Sequence, residues 1–439
     1  MARNFADNLM RSGLKALSAF ARSNLTDNEK IRRGSEKVLY EATRTGFQLA
    51  GTLNRPFQLV EKLTQPLRPA KARTPDLFDL TPDEEQEMMR DAMGRFAAER
   101  LRPAAPQANE ECRAPEGLLT EAAELGTTFM YVPEALGGAS VERSVTTQAL
   151  VAESLAHGDM GLALACLAPA GVAAALEEWG TAEQQATYLA TFAQENPPVA
   201  TTAVLEPRVL FSPTELETRA SRRSDGYVLD GVKSLVPCVN DAELFLVAAQ
   251  TEEGPALFLV ESKTPGLTLE AEPAMGLRAA GLGRIVIDQV KVPAGARLGG
   301  EEDFDYADFL ARGRLAWCAL SVGAAQAVLD YVIPYVNERT AFGEPISNRQ
   351  SVAFMVSNIG IELEAMRLLT WRAAARADRG LSFVREAALA KHACAEHGMR
   401  IGMDGVQLLG GHGYTKEHPV ERWYRDLRAV GVMEGGLIL

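Results

Sequence analysis

Two groups of residues near the end of this 439-residue chain have the types and spacing that ligand binding and acid–base chemistry require. Residues 407–415 (QLLGGHGYT) contain a glycine pair, and glycine allows a backbone to approach a bulky ligand closely. Glu434 follows, with Gly435 and Gly436 directly after it. A carboxylate in a tight apolar slot of this kind can serve as the general base that removes a weakly acidic proton.

The charge of the chain is uneven, and its pattern limits the partners. The formal net charge is −13, which argues against nucleic acid as the main partner. Residues 1–75 nevertheless hold 14 Lys and Arg against 6 Asp and Glu, so this segment is basic and the remainder is strongly acidic. Its first part has apolar residues on one helical face, namely Phe5, Leu9, Leu14, Leu17 and Phe20. Such an amphipathic helix either contacts a membrane surface or packs on its own domain or dimer mate.

The patterns of cysteine, histidine and apolar residues argue against a metalloprotein and against a transmembrane protein. The five cysteines are scattered and the five histidines form no cluster with metal-ligand spacing, so we predict no metal site. The unpaired cysteines indicate a reducing compartment, and the Ala- and Arg-rich composition indicates a bacterial cytoplasm. No apolar run approaches the roughly 20 residues that span a bilayer. Any membrane contact is therefore expected to be peripheral and to involve residues 1–75.

Periodicity divides the chain into four segments. Residues 1–75 form the basic, helical extension, and residues 76–197 form a helical domain. Residues 198–305 contain short strand-like runs separated by Gly, Pro, Asn and Asp, which is typical of a small antiparallel sheet domain. Residues 306–439 are helical again. Helices, then a sheet, then helices predict an α+β fold.

Several elements can be placed within these segments. Helix starts are predicted at Thr81 and Thr181, and Pro334 is expected to kink or end a helix that covers 315–342. Asp225–Gly226 and Asp230–Gly231 have the composition of turns. The predicted strands are 227–231, 244–248, 256–260 and 284–288, and the long amphipathic helices are 349–378 and 383–409.

Local motifs in this order and spacing resemble the acyl-CoA dehydrogenase family over about residues 80–435. They are 132–138 (VPEALGG), 205–207 (LEP), 225–233 (DGYVLDGVK), 275–278 (MGLR), 290–293 (VKVP), 338–343 (ERTAFG) with Pro345, Ile346 and Gln350, and the cluster around Glu434. The resemblance implies an N-terminal helical domain, a middle antiparallel β-domain closed by strands at 275–278 and 290–293, and a C-terminal helical bundle. The family pattern continues beyond Glu434, so we expect a fragment of a longer protein, truncated at the end of its C-terminal domain.

The resemblance implies FAD as the cofactor, held between the β-domain and the C-terminal helices and shared with a neighbouring subunit. The pyrophosphate and adenine side would contact Arg339, Phe342 and Gln350, because a guanidinium fork suits phosphate. The adenosine moiety across the dimer interface would pack on Gln407, Gly410 and Gly411. The glycine pair is also typical of an ordinary helix C-cap.

The remaining flavin positions implied by the resemblance are Leu205, Val236 and Pro237. Here the chain departs from the family, because Leu205 and Pro237 replace hydroxyl-bearing residues and Pro237 also lacks a backbone N–H. Gly436 replaces another hydroxyl residue, and residues 208–213 (RVLFSP) replace a small polar loop. These departures leave open a degenerate, non-catalytic relative that binds acyl-CoA or a protein partner.

The resemblance also assigns a reaction. Glu434 would abstract the α-proton of an acyl-CoA while a hydride passes to the flavin, giving the trans-2-enoyl-CoA. Gly435 would leave room for the thioester, and Arg314 and Ser212 would lie on the substrate side. Alternatively, Arg314 forms a salt bridge within or between domains. The implied partners are an electron-transferring flavoprotein and further copies of the chain, as a homodimer or homotetramer.

Overall fold

A computed structural model describes residues 80–138, 144–300 and 304–439, and they form three successive parts. The first contains the helices α1 (Glu84–Phe96, extended by a π-turn at Ala97–Leu101), α2 (Arg102–Glu111), α3 (Leu118–Glu124), α4 (Val145–Gly158), α5 (Met160–Trp179) and α6 (Ala182–Thr187). The second contains the strands β1 (Ala200–Ala203), β2 (Arg219–Arg223), β3 (Gly226–Val236), β4 (Leu244–Gln250), β5 (Pro255–Glu261), β6 (Leu267–Ala271) and β7 (Gly283–Pro293).

The third part is mostly helical. It contains α7 (Tyr306–Glu338), the hairpin β8 (Thr340–Ala341) and β9 (Glu344–Pro345), α8 (Gln350–Asp378), α9 (Val384–Leu409), α10 (Val420–Leu427) and the short strand β10 (Gly435–Gly436). Helices, sheet and helices in this order confirm the predicted fold class. The predicted extension at residues 1–75 lies outside the described residues.

Helix starts follow the capping chemistry of the sequence. α1 begins at Glu84 and not at Thr81, because Asp83 is the N-cap: its carboxylate accepts a hydrogen bond from the Gln86 N–H at 2.8 Å. α6 begins where the sequence predicted, after Thr181, which forms a capping box with Gln184. In both cases a side chain satisfies N–H groups that a helix start leaves unpaired.

α5 and α7 form the centre of the helical core. Both are long and apolar enough to cross a membrane, so the prediction that no apolar run reaches this length is wrong. Neighbouring elements bury 94% of the apolar stretch of α5 and 72% of that of α7. Helices that are apolar all round are expected inside a large core, and this burial explains their composition.

α7 runs through Pro334 and ends at Glu338, before the predicted end at 342, so Pro334 does not stop the helix at its own position. Pro334 is exposed and stands only four residues before the helix end. Val332 and Val336 beside it are both buried. The missing N–H therefore affects only the last turn, which packing on the core still holds.

The strands form one eight-stranded sheet with the order β10-β1-β4-β2-β3-β7-β6, and β5 pairs with β4. Most neighbours are antiparallel, as predicted, but β1 and β2 both run parallel to β4. Parallel neighbours need a connection that crosses over, which a pattern of short strands and turns does not reveal. Alternate residues of β4 pack into the helical core and into the sheet's own core. This two-sided burial explains the continuous apolar run of β4.

Two sequence motifs have structures other than those predicted. Asp225–Gly226 makes the expected turn into β3, but Asp230–Gly231 lies inside β3 at a shift of its register with β7. Gly231 has φ of 153°, and a Cβ there would lie 2.6 Å from Cα of Thr218. Glycine is therefore needed for close approach and not for a turn. Residues 275–278 are a loop that leads into the 3₁₀ turn Arg278–Ala280, and not a strand.

Candidate active site

Glu434 lies between α10 and β10, with its side chain 15% exposed. Its Oε1 is 3.2 Å from Nε of Arg314 on α7 and 4.0 Å from Nζ of Lys391 on α9. A glutamate this buried is expected to be paired. The structure thus brings together two predicted site residues, and the salt bridge of Arg314 is made with the predicted base itself.

The carbonyls of the residues before and after Glu434 are both held by side chains from other elements. Nζ of Lys391 donates to the carbonyl of Met433 at 2.7 Å. Nε1 of Trp317, on α7, donates to the carbonyl of Gly435 at 2.8 Å. The backbone on either side of Glu434 is therefore fixed, and with it the direction in which the side chain leaves the chain.

Gly435 makes this turn possible. Its φ is 73°, a left-handed conformation, and a Cβ would lie 2.7 Å from Cγ2 of Val204. Gly435 pairs with Ala203 and Gly436 with Thr202, so β10 is an antiparallel edge strand on β1. A larger residue would have to distort either the turn or the edge of the sheet.

Burial strengthens the electrostatics around this carboxylate. Burial lowers the pKa of Lys391, and the charge of Glu434 opposes that shift. Burial also raises the pKa of Tyr306, with a smaller contribution from the charge of Glu434. Charges interact more strongly in such a water-poor setting than at the surface.

A buried ion pair fixes the loop that follows β1. Oε1 of Glu206 lies 2.9 Å from Nζ of Lys233, and the two side chains are 2% and 0% exposed. Glu206 also accepts hydrogen bonds from the N–H groups of Glu217 and Thr218 at 2.7 and 2.9 Å. Burial opposes ionisation of Glu206, but the charge of Lys233 and these hydrogen bonds hold its pKa below the usual value. Burial lowers the pKa of Lys233 to about 8.

The predicted flavin residues lie in two different settings. Leu205, Val236 and Pro237 are buried. The outer group is exposed and consists of Arg339, Phe342, Gln350, Gln407, Gly410 and Gly411. Tyr335 connects the end of α7 with the glycine pair, since its hydroxyl bonds Nδ1 of His412 at 3.0 Å. Gly410 caps α9 with φ of 57°, so the C-cap role of the glycine pair is real as well.

Ser212 has partners inside its own loop. Its hydroxyl bonds that of Thr214 at 2.9 Å, and the hydroxyl of Tyr306 donates to the neighbouring carbonyl of Pro213 at 2.8 Å. The tip of this loop is apolar and open, with Val209 91% and Leu210 95% exposed. A role of Ser212 toward substrate stays a prediction.

Sequence reasoning missed Lys391 and Trp317. A signal for Lys391 existed, because this lysine falls in the helical phase of Ala387, Ala390 and Cys394, which are all buried. Trp317 gave no such signal, since α7 is apolar on every side around it. Among the described residues, no group of three His, Cys, Asp or Glu side chains could hold a metal ion. All five cysteines are free thiols.

FAD, the cofactor that the resemblance implies, fits the outer group of residues. They are exposed and combine a guanidinium, an aromatic ring and two glycines without side chains. The buried residues Leu205, Val236 and Pro237, the inner group, leave less space for a ligand. A Cβ on Gly436 would lie 3.5 Å from Cγ of Pro237, and residues 437–439 beyond it are buried.

The segment 436–439 fills a slot between α5 and α7. A Cβ on Gly171 of α5 would lie 2.8 Å from the backbone nitrogen of Ile438, and one on Gly313 of α7 would lie 3.4 Å from the carbonyl of Leu437. The two helical glycines thus let the segment approach closely. Because Gly436 packs on Pro237, the segment also covers one of the predicted ring-side residues.

Three family models match the chain in sequence order. The N-terminal domain of acyl-CoA dehydrogenase matches residues 83–196, the middle domain 201–290 and the C-terminal domain 306–436. The mitochondrial short-chain specific acyl-CoA dehydrogenase of Bos taurus is 33% identical over 361 residues, which cover 80% of this chain and 87% of that protein.

Solved structures agree with these matches. Butyryl-CoA dehydrogenase from Megasphaera elsdenii aligns with a TM-score of 0.74 and 28% identity over 81% of this chain and 95% of its own. An FAD complex of PigA aligns with a TM-score of 0.75 and 25% identity, with the same coverage of both chains. The chain therefore belongs to the acyl-CoA dehydrogenase family, whose members are FAD-dependent oxidoreductases that act on CH–CH bonds in fatty acid β-oxidation.

Proposed function

We propose that the protein oxidises an acyl-CoA thioester to the trans-2-enoyl-CoA, with Glu434 as the base. The supporting observation is the setting of Glu434, whose carboxylate pairs with Arg314 at 3.2 Å and whose flanking carbonyls are both held. The α-C–H bond gives its proton to Glu434, the β-C–H bond gives a hydride, and a C=C bond forms between the two carbons. A positioned base of this kind is what the weak acidity of the α-C–H requires.

The two cations beside Glu434 suit this role. Arg314 and Lys391 both approach Oε1, so we expect the substrate proton to go to Oε2. Gly435 has no side chain, which leaves room beside the carboxylate for the thioester.

FAD supplies the hydride acceptor when it is bound. The pyrophosphate and adenosine would be held by the exposed outer group of residues, which are Arg339, Phe342, Gln350, Gln407, Gly410 and Gly411. The guanidinium of Arg339 suits phosphate, and the glycines allow close packing on adenosine.

The substrate is expected to carry a short acyl chain. The similarity to a short-chain specific acyl-CoA dehydrogenase and to a butyryl-CoA dehydrogenase supports this proposal. Turnover rates with butyryl-CoA and palmitoyl-CoA test this proposal, and we expect the rate with butyryl-CoA to be higher.

Further partners follow from the family and from the surface. Exposed apolar residues recur every seven positions on α8, at Phe354, Ile361 and Leu368. Such a stripe is typical of a contact between helices, which supports a homodimer or homotetramer. We propose an electron-transferring flavoprotein as the acceptor and a reducing cytoplasm as the location, which the free cysteines support.

A second candidate is a non-catalytic relative that binds acyl-CoA or a protein partner. The observation that favours it is the packing of Gly436 against Pro237, where a flavin ring would need space. A protein that purifies without colour and cannot be reconstituted with FAD would support this candidate and reject the enzyme.

Replacement of Glu434 tests the enzyme directly. We predict that Glu434→Gln leaves the flavin spectrum intact and abolishes its bleaching by butyryl-CoA, because the amide cannot accept the α-proton. A loss in kcat of about 10²-fold or more is expected from removal of a general base. The matched control is Glu417→Gln, which removes an exposed carboxylate and should bleach like the wild type. Retained turnover in Glu434→Gln would reject Glu434 as the base.

A further inference from the structure

We propose that Lys391 is a positioning residue for Glu434, which holds the preceding carbonyl and sets a positive charge beside the carboxylate. This inference rests on the proposed function, because it gives Lys391 a role only if Glu434 takes the α-proton. Lys391 does not contact the reacting atoms and acts through Glu434.

The helix itself aims Lys391 inward. Lys391 follows the buried residues Ala387 and Ala390 on α9 and precedes the buried Cys394, so its side chain shares their face. Only 12% of the side chain is exposed. A lysine with so little exposure is unusual and needs partners.

The partners of Lys391 are Glu434 itself and groups that contact the backbone next to it. Its Nζ donates to the carbonyl of Met433 at 2.7 Å and lies 4.0 Å from Oε1 of Glu434. The same ammonium lies 6.0 Å from the ring centroid of Trp317, which in turn holds the carbonyl of Gly435. Lys391 and Trp317 therefore bracket Glu434, one on each side along the backbone.

Charge supports this reading. Four groups act on the charge of this ammonium. They are Glu434, the α7 residues Arg314 and Cys318, and Cys394 on α9. Glu434 is the carboxylate among them, so it is the anion that balances the buried charge of Lys391. Burial of a charged lysine costs free energy of desolvation, and an apolar side chain would fill the same space without that cost. Packing alone therefore does not explain a lysine here.

Three substitutions at one position separate the two parts of the role. Lys391→Arg keeps the charge and the donor, Lys391→Gln keeps a donor without the charge, and Lys391→Met keeps neither. We expect kcat to fall in that order, with Lys391→Met losing about 10- to 100-fold, because a misplaced base costs rate steeply. KM for butyryl-CoA should change less than kcat. The control is Lys416→Met, which removes an exposed lysine and should leave kcat unchanged.

A measurement without turnover completes the test. Hydrogen–deuterium exchange of the FAD-free protein should rise at residues 432–436 in Lys391→Met and stay near the wild-type rate in Lys391→Arg. A kcat that is equal in all three variants, or that follows only their melting temperatures, would overturn the inference. If Lys391→Met does not fold, the comparison of Lys391→Gln with Lys391→Arg still decides. Active Glu434→Gln would reject the proposed function, whereas inactive Glu434→Gln with fully active Lys391→Gln and Lys391→Met would reject this inference alone.

Discussion

Gly435 connects the chemistry of Glu434 to the edge of the sheet. The residue after the base must turn the chain back onto β1 within one step, and its φ of 73° does this. A Cβ at this position would lie 2.7 Å from Cγ2 of Val204, closer than such contacts occur in folded proteins. Backbone conformation and space therefore both require glycine here.

We predict that Gly435→Ala lowers kcat by about tenfold or more and destabilises the protein by about 2 kcal/mol. The left-handed conformation costs an L residue about 1–2 kcal/mol, and overpacking adds to that cost. Steady-state kinetics and urea unfolding measure the two effects. Gly360→Ala, on α8 with no atom within 4 Å of the added Cβ, is the control and should be neutral or slightly stabilising.

A second variant separates the two causes. Val204→Ala combined with Gly435→Ala removes the contact with Cγ2 but keeps the contact with Cβ of residue 204 at 2.8 Å and the backbone strain, so it should recover only part of the stability. Gly435→Ala that behaves like Gly360→Ala would show that the turn tolerates a side chain.

Residue types predicted part of this site. Glu434, Gly435 and Arg314 were identified from motifs, and the structure brings them together. Lys391 and Trp317 were not, because their role depends on which carbonyls three separate elements place within reach. Hydrogen bonds to the backbone carry no sequence signature of their own, so such partners emerge only from the fold.

Among the elements, the long helices could be predicted from the sequence, whereas the crossover connections between parallel strands could not. The amphipathic pattern predicted α8 and α9 to within one residue at their starts, since one apolar face repeats over many turns. Capping chemistry placed the start of α6 as well. The parallel pairing of β1 and β2 with β4 depends on distant contacts, and local patterns do not encode it.

The Glu206–Lys233 pair ties the loop after β1 to β3. Its two charges are almost fully buried, so removal of one partner leaves the other uncompensated. We predict that Lys233→Met destabilises the protein by about 3–5 kcal/mol in urea unfolding at pH 7. The double variant Glu206→Gln/Lys233→Met should recover part of this loss, because no buried charge then remains unpaired.

The same pair should make stability depend on pH. The pKa of Glu206 is held below its ordinary 4.5 in the folded protein, so its contribution is present above that pH and is lost as the pH falls. The stability difference between wild type and Glu206→Gln should therefore shrink when unfolding is measured below pH 4.5 instead of at pH 7. A difference that stays constant would mean that folding does not shift the pKa of Glu206.

At the scale of the whole molecule, we predict that the ring of a bound flavin and the segment 436–439 compete for one slot, because Gly436 packs on the predicted ring-side residue Pro237. The outer residues are open to FAD, whereas Leu437 and Ile438 are 0% and 2% exposed between α5 and α7. Burial of each such side chain stabilises by about 1.5–3 kcal/mol. Release of the segment is therefore a cost that FAD binding has to offset.

This cost predicts that the protein binds FAD more tightly when the packing of the segment 436–439 is weakened. Leu437→Gly combined with Ile438→Gly should lower the cost by about 3 kcal/mol, which corresponds to a gain of about 100-fold in FAD affinity. Titration of the FAD-free protein followed by flavin fluorescence measures this, with Leu381→Gly, a partly exposed residue outside the slot, as the control. An unchanged affinity would mean that the flavin ring and the segment do not share space. The ring-side residues Val236 and Pro237 would then have to be reassigned, while the family and its outer flavin surface would stand.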